Sequence, residues 1–354
     1  MPDQRPATDI VDFRSDNTGR AAPEMIAALA AANEGSAAGY GGDEWTSAVQ
    51  RRFSDLFEAP VRVFPVATGT AANAISLAAL SPPWGAVYCS EPAHVNTAEA
   101  NATGFFSGGA KLTAVPGPHG KMAADALAAA LSTAGVGQTH RSQPAVVTLT
   151  QAGDLGAVYA LDEVRSLIAL AKAHNVKVHM DGARFANALA RLGCSPAELT
   201  WRAGVDVLSF GVTKNGGLLC DAIVVFTPDV VPALAIQLRR AGQVWSKMRF
   251  AAAQLLAYVE DGLWLRNARQ ANEIAARIAA GLRDLAGAAP LAPVEANELF
   301  LRLPVPVMDG LERDGVRFFR RPGDIARFVC RFDATHAEAD ALLASLRRHL
   351  AAAG

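Results

Sequence analysis

The chain has 354 residues, 51% of them apolar, enough to bury a large core with a smaller unit attached. Its 33 basic and 34 acidic residues give a formal charge of −1 and form no long blocks, which argues against a nucleic-acid partner. The opening "MPDQRPATDIVDF" lacks the apolar centre of a signal peptide, and no run approaches the roughly 18 apolar residues of a membrane span. A cytoplasmic protein with no membrane partner is therefore expected. The four cysteines, Cys89, Cys194, Cys220 and Cys330, lie far apart and form no CxxC pair. They read as reduced, packed thiols rather than metal ligands or disulfides.

In chain order, a polar arm precedes "PEMIAALAAANEG" (23–35), a helix with Pro at its start and Gly at its end. A glycine-rich loop, "GYGGDEW" (39–45), leads into an amphipathic helix over 46–59. "VRVFPVATGTAANAISLAAL" (61–80) reads as strand, turn and helix. Short β-branched or apolar runs then alternate with helical patterns: 86–90, 111–117, 144–151, 176–181, 205–211 and 222–226. Such alternation predicts an α/β fold whose mostly parallel sheet lies between helices. Beyond about residue 232 come two long helical stretches, 234–262 and 263–287, then short strand-like runs and a closing helix over 336–351. This predicts an arm and active-site loop over 1–45, a large domain over 46–249 and a smaller α+β domain over 250–354.

"VATGTAANAIS" places Thr68, Gly69 and Thr70 between a strand and a helix, where free backbone N–H groups suit a phosphate. A plain capped turn has the same composition. The stretch is neither GxGxxG nor GxxxxGK[ST], so a dinucleotide site and an ATP P-loop lose support. In "VLSFGVTKNGG", Lys214 follows an apolar strand. It is either an ordinary turn residue or an amine able to attack a carbonyl. His94, in "SEPAHVNTAEA", is either structural or placed to stack on a ring and relay a proton. Asp181, in "HMDGARFANAL", is either a helix cap or a carboxylate that keeps a pyridine nitrogen protonated in a pyridoxal phosphate enzyme. The histidines show no metal-binding spacing. All of these residues fall near predicted strand ends, the edge where ligands bind in such sheets.

With these motifs in order, the sequence resembles the threonine aldolase/β-eliminating lyase family of pyridoxal phosphate enzymes, which have the aspartate-aminotransferase-type (type I) fold. "DFRSDNTG", "GYGGDEW", "TGTAAN", "EPAHV", "HMDGARFANAL", "SFGVTKNGG" and "ARFVCRFDAT" carry the resemblance, which covers nearly the whole chain. It implies a Schiff base between Lys214 and pyridoxal 5'-phosphate, Asp181 on the pyridine nitrogen and His94 against the ring. It implies Thr68, Gly69, Thr70 and Thr213 around the phosphate, with Arg249 nearby. Ser15, Arg184 and Arg327 are expected on the substrate carboxylate, a role that suits the paired N–H groups of guanidinium. Tyr40 is expected near the substrate, its loop serving a neighbouring subunit's site, because the resemblance implies a homodimer or homotetramer with active sites at the interface.

The implied reaction is retro-aldol cleavage of L-threonine, L-allo-threonine or a related amino acid such as phenylserine to glycine and an aldehyde. His94 is the expected acceptor of the hydroxyl proton. In one departure, the stretch where many members carry "ENTH" reads "LTQAGDLG" here, with Thr150 and Gln151 and no histidine. A pyridoxal phosphate β-eliminating lyase or dehydratase uses the same lysine and aspartate and stays open. An aminotransferase and a non-catalytic binder of a phosphorylated ligand are the remoter alternatives.

Overall fold

In the computed structural model, residues 10–353 are described; the first nine residues of the predicted arm and the last glycine lie outside the described residues. The chain forms, in order, strands β1 (Val11–Asp12), β2 (Arg62–Val66), β3 (Gly85–Ser90), β4 (Lys111–Val115), β5 (Gln143–Thr150) and β6 (Lys177–Gly182). There follow β7 (Val207–Phe210), β8 (Asp221–Val225), β9 (Glu298–Arg302), β10 (Val316–Arg317), β11 (Phe319–Arg321) and β12 (Ile325–Val329).

Seven strands make the main sheet in the order β2-β8-β7-β6-β5-β3-β4. All run parallel except β8, which is antiparallel to both β2 and β7. Helices cover both faces, so β3 and β8 are buried at every position and read as continuous apolar runs. Successive residues still point to opposite faces: Val147 and Leu208 join one core cluster, while Val146 and Val207 join the cluster on the other side.

A third cluster gathers Val11 and Phe13 with residues from Ile274 onward, around an antiparallel sheet ordered β11-β12-β9. The N-terminal strand enters this cluster because β1 pairs in parallel with β10, Val11 opposite Val316. Helix Leu263–Leu282 serves two cores, with Leu263 and Trp264 in the first cluster and Ile274 and Ile278 in the third. The stretch 234–262 is not one long helix. It breaks into Val231–Arg240 and Arg249–Val259, separated by a turn containing Gly242 at φ +69°. That left-handed backbone is open to glycine and costly for other residues, and the apolar periodicity on both sides hides it.

The C-terminal ends of β2, β3, β5, β6 and β7 open on one edge of the sheet, and the reversed β8 brings its first residue, Asp221, to the same edge. A carboxylate at the end of an interior strand thus faces a crevice, not a core.

Candidate active site

At this edge lies a cavity of about 730 Å³. Its walls bring together Ser15, Thr68, Gly69, Thr70, His94, Asp181, Arg184, Thr213, Lys214 and Arg327, residues spread over more than 300 positions of sequence. Tyr40 and Arg249 are not among its lining residues. Tyr40 is 62% exposed with the Arg239 guanidinium 5.5 Å from its ring, and Arg249 Nη1 donates to the Gly35 carbonyl at 3.3 Å.

Asp181, at the end of β6, is buried and accepts hydrogen bonds from the Ala183 N–H (3.0 Å) and from Asn73 Nδ2 (2.9 Å). The Asn73 amide also donates to Glu99 Oε1 at 2.9 Å, and Glu99 holds His94 Nδ1 at 2.8 Å. That hydrogen bond pushes the His94 pKa up against the opposing effect of burial. Asp181 forms no ion pair among the described residues, so it is a buried acceptor supplied with neutral donors and suited to a cationic partner.

Behind Asp181, His179 lies fully buried between Thr148 Oγ1 (2.8 Å) and Ser209 Oγ (2.9 Å). Burial lowers its pKa from 6.5 to about 4, so the folded protein holds it neutral where the unfolded chain takes a proton. Its contribution to stability is therefore complete above pH 6.5 and lost as the pH falls towards 4. The shift corresponds to roughly 3 kcal/mol. Urea unfolding is expected to show a smaller pH dependence across this window in His179→Gln than in the wild type. Equal slopes would show that His179 does not carry the effect.

Lys214 sits in a turn of 3-10 helix, Thr213–Asn215, directly after β7. Asn215 pins the turn by donating to Tyr258 OH and to the Trp264 carbonyl, both at 2.8 Å, while Asn267 Nδ2 donates to its carbonyl at 3.0 Å. Gly216 ends the turn at φ +105°, where a side chain would be strained. Asp221 Oδ1 accepts the N–H groups of Val212 (2.8 Å) and Thr213 (3.0 Å). Burial nevertheless raises its pKa.

Beside this turn, helix Gly69–Leu80 is capped by Thr68, whose Oγ1 accepts from the Ala71 N–H at 3.1 Å. The N–H groups of Gly69 and Thr70 precede that bond and belong to the unpaired first turn of the helix. A Cβ added at Gly69 would have only one neighbour within 4 Å, Asp221 Oδ2 at 3.8 Å, so the backbone borders open cavity. A helix N-terminus bordering open space, a lysine across from it and a buried carboxylate seeking a cation fit a phosphorylated pyridine aldehyde.

The opposite wall is built by arginines. Arg184 grips Asp16 through Nε (2.8 Å) and Nη2 (3.2 Å), and its Nη1 lies 3.0 Å from Glu298 Oε2. Arg327, on β12, donates to Glu298 Oε1 from Nε (3.0 Å) and Nη2 (2.6 Å). Burial opposes ionisation of Asp16, yet the Arg184 and Lys214 charges outweigh it and hold the carboxyl below its ordinary value. Asp16 and Glu298 thus fix both guanidinium planes.

Sequence reasoning passed over Asn73, Glu99, Asp16, Glu298, Asp221 and Asp154. Asn73 and Asp16 lie inside motifs already quoted; Glu298 opens a strand-like run and carries no local signature. Asp154 belongs to the stretch that lacks the expected histidine. Gln151, in that stretch, does not line the cavity: its amide exchanges hydrogen bonds with the backbone of Tyr159 at 2.8 and 3.0 Å. All four cysteines are free thiols, and no group of three His, Cys, Asp or Glu among the described residues could hold a metal.

A seven-stranded sheet with one reversed strand, and a site at its C-terminal edge, define a pyridoxal phosphate enzyme of fold type I. The Beta-eliminating lyase family matches residues 12–304, and the chain belongs to that family. It is 42% identical to a low specificity L-threonine aldolase of Pseudomonas sp. (strain NCIMB 10558), over 96% of this chain and 98% of that one. It is 44% identical to the protein of the same name from Pseudomonas aeruginosa, over 91% and 92%. Among solved structures, the threonine aldolase of Leishmania major superposes with a TM-score of 0.88 at 25% identity, covering 96% and 99% of the two chains.

Proposed function

We propose that the protein cleaves L-threonine and related L-β-hydroxy-α-amino acids to glycine and an aldehyde, acting as a pyridoxal phosphate-dependent aldolase. The observation that carries this reading is the convergence of Lys214, Asp181, Arg184 and Arg327 on one cavity. When bound, the cofactor supplies an electron sink for the pair left on Cα.

The protein's own groups do the rest. Lys214 would hold the cofactor through its aldehyde carbon. Asp181, with Asn73 and the Ala183 N–H behind it, keeps the pyridine nitrogen protonated. His94, fixed by Glu99, would pack against the ring, and Thr68, Gly69, Thr70 and Thr213 would hold the phosphate. Ser15, Arg184 and Arg327 orient the substrate carboxylate. Fixing the carboxylate selects which bond at Cα is presented for cleavage, and here that would be Cα–Cβ.

We further propose a cytoplasmic homodimer or homotetramer whose active sites lie at the subunit interface. Support comes from Tyr40, Leu218 and Leu219, large apolar side chains exposed by 62%, 50% and 63% in the single chain, Leu219 at the cavity itself. No helix among the described residues is long and apolar enough to cross a membrane.

Products decide between the aldolase and a β-eliminating lyase. Threonine should give glycine and acetaldehyde. Ammonia and 2-oxobutanoate instead would mark a dehydratase and overturn the reading. A panel of both threonine diastereomers and phenylserine measures the selectivity.

A further inference from the structure

We propose that Asp154 is the base that takes the substrate's β-hydroxyl proton, an inference that rests on the aldolase reading above. Asp154 lines the cavity, and its Oδ2 is buried with no hydrogen-bond partner among the described residues. A buried carboxylate oxygen left unpaired costs stability, and such a group persists where chemistry uses it.

Its backbone is held from several sides. Gln151 clasps Tyr159 across the loop, the Gly153 N–H donates to the Ala157 carbonyl at 2.8 Å, and the N–H groups of Glu295 and Ala296 donate to the Gly156 carbonyl at 3.3 and 3.2 Å. The loop is thus anchored both to itself and to the segment that leads into Glu298. Asp154 shares the cavity wall with Asp181, His94, Arg184 and Glu298, and their charges act on its carboxyl, while its own charge acts on Cys89 and Tyr159. It therefore shares one cavity with the groups that would hold the ring and with the arginines that would hold the substrate carboxylate.

Burial, with Asp181 and Glu298 adding to it and Arg184 and His94 opposing it, raises the Asp154 pKa to about 7. A base with that value is ionised in half the molecules at neutral pH and still basic enough to accept a hydroxyl proton as it becomes acidic. His94, by contrast, is already engaged by Glu99 through Nδ1 and held towards its protonated form.

In the step, an Asp154 oxygen accepts the hydroxyl proton. The O–H pair becomes the second bond of the aldehyde C=O, Cα–Cβ breaks, and its electron pair stays with Cα. Delivery of one proton to Cα then yields glycine, so atoms and charge balance.

The test uses the cofactor-loaded Asp154→Asn protein. Threonine cleavage should fall by about 10²–10⁴, and the acid limb of the pH profile near 7 should vanish, while His94→Asn retains that limb. Exchange of a glycine α-proton with deuterated water, which needs no hydroxyl base, should stay within about threefold of wild type. A readout independent of turnover is thermal: Asp154→Asn should melt above the wild type at pH 8, with a smaller gap at pH 5, because burial penalises only the ionised carboxylate. Threonine cleavage within about threefold of wild type, joint loss of cleavage and exchange, or a lower melting temperature at both pH values would each overturn the assignment. If the wild type itself releases no glycine from any β-hydroxy amino acid, the aldolase reading falls and this assignment falls with it.

Discussion

Lys214→Ala is expected to give a folded protein that has lost the yellow colour of a protein-bound imine and turns threonine over at least about 10³-fold more slowly. The fold should survive because the turn is secured by its neighbour: Asn215 reaches Tyr258 and Trp264, and no described hydrogen bond or ion pair uses the Lys214 amine. What disappears is the nucleophile that tethers the cofactor and is released by the incoming amine. Reduction with borohydride followed by peptide mass analysis should find the cofactor on Lys214 in the wild type. A variant with wild-type absorbance and turnover would remove Lys214 from the chemistry.

Asp181→Asn should retain cofactor yet lose turnover by about 10²–10⁴. The substitution is nearly isosteric, so the change is in charge and in donor pattern. Both oxygens of Asp181 act as acceptors, from Ala183 and from Asn73. An amide at this position has only one acceptor oxygen, and its NH₂ must face one of those donors or the ring nitrogen. It also supplies no negative charge to keep that nitrogen protonated, which weakens the withdrawal of electrons from Cα. Absorbance should report occupancy while stopped-flow kinetics reports the slowed bond cleavage. Near wild-type turnover would show that protonation of the ring is set by another group.

The sheet was legible because each of its strands is a short β-branched or apolar run, and a parallel sheet buried on both faces needs such runs. Strand limits differ from the expectation by only a residue or two at most ends: 86–90 against Gly85–Ser90, 144–151 against Gln143–Thr150. The reversal of β8 was not legible. Antiparallel direction is set by the connection after β7, and the pattern of β8 itself is that of any buried strand. Nor did sequence foresee β1, two residues whose only reason to be extended is a partner at Val316. Within the site, the motifs delivered the residues with distinctive chemistry, Lys214, Asp181 and His94. The residues that hold them, such as Glu298 and Glu99, needed three dimensions: a lone glutamate in sequence is indistinguishable from a solvated one until an arginine or a histidine is seen to lean on it.

The pairing of Val11–Asp12 with Val316–Arg317 has a consequence for the order of assembly. Ser15 and Asp16 follow soon after that first strand, yet the strand that anchors them is synthesised after every strand of the main sheet. During synthesis the main sheet can close around Lys214 and Asp181 while Arg184 still lacks both its carboxylates, since Asp16 waits on β10 to pair with β1 and Glu298 lies on β9. A nascent chain therefore passes through a stage with its sheet built and its substrate clamp unmade, and competence arrives only when β1 meets β10.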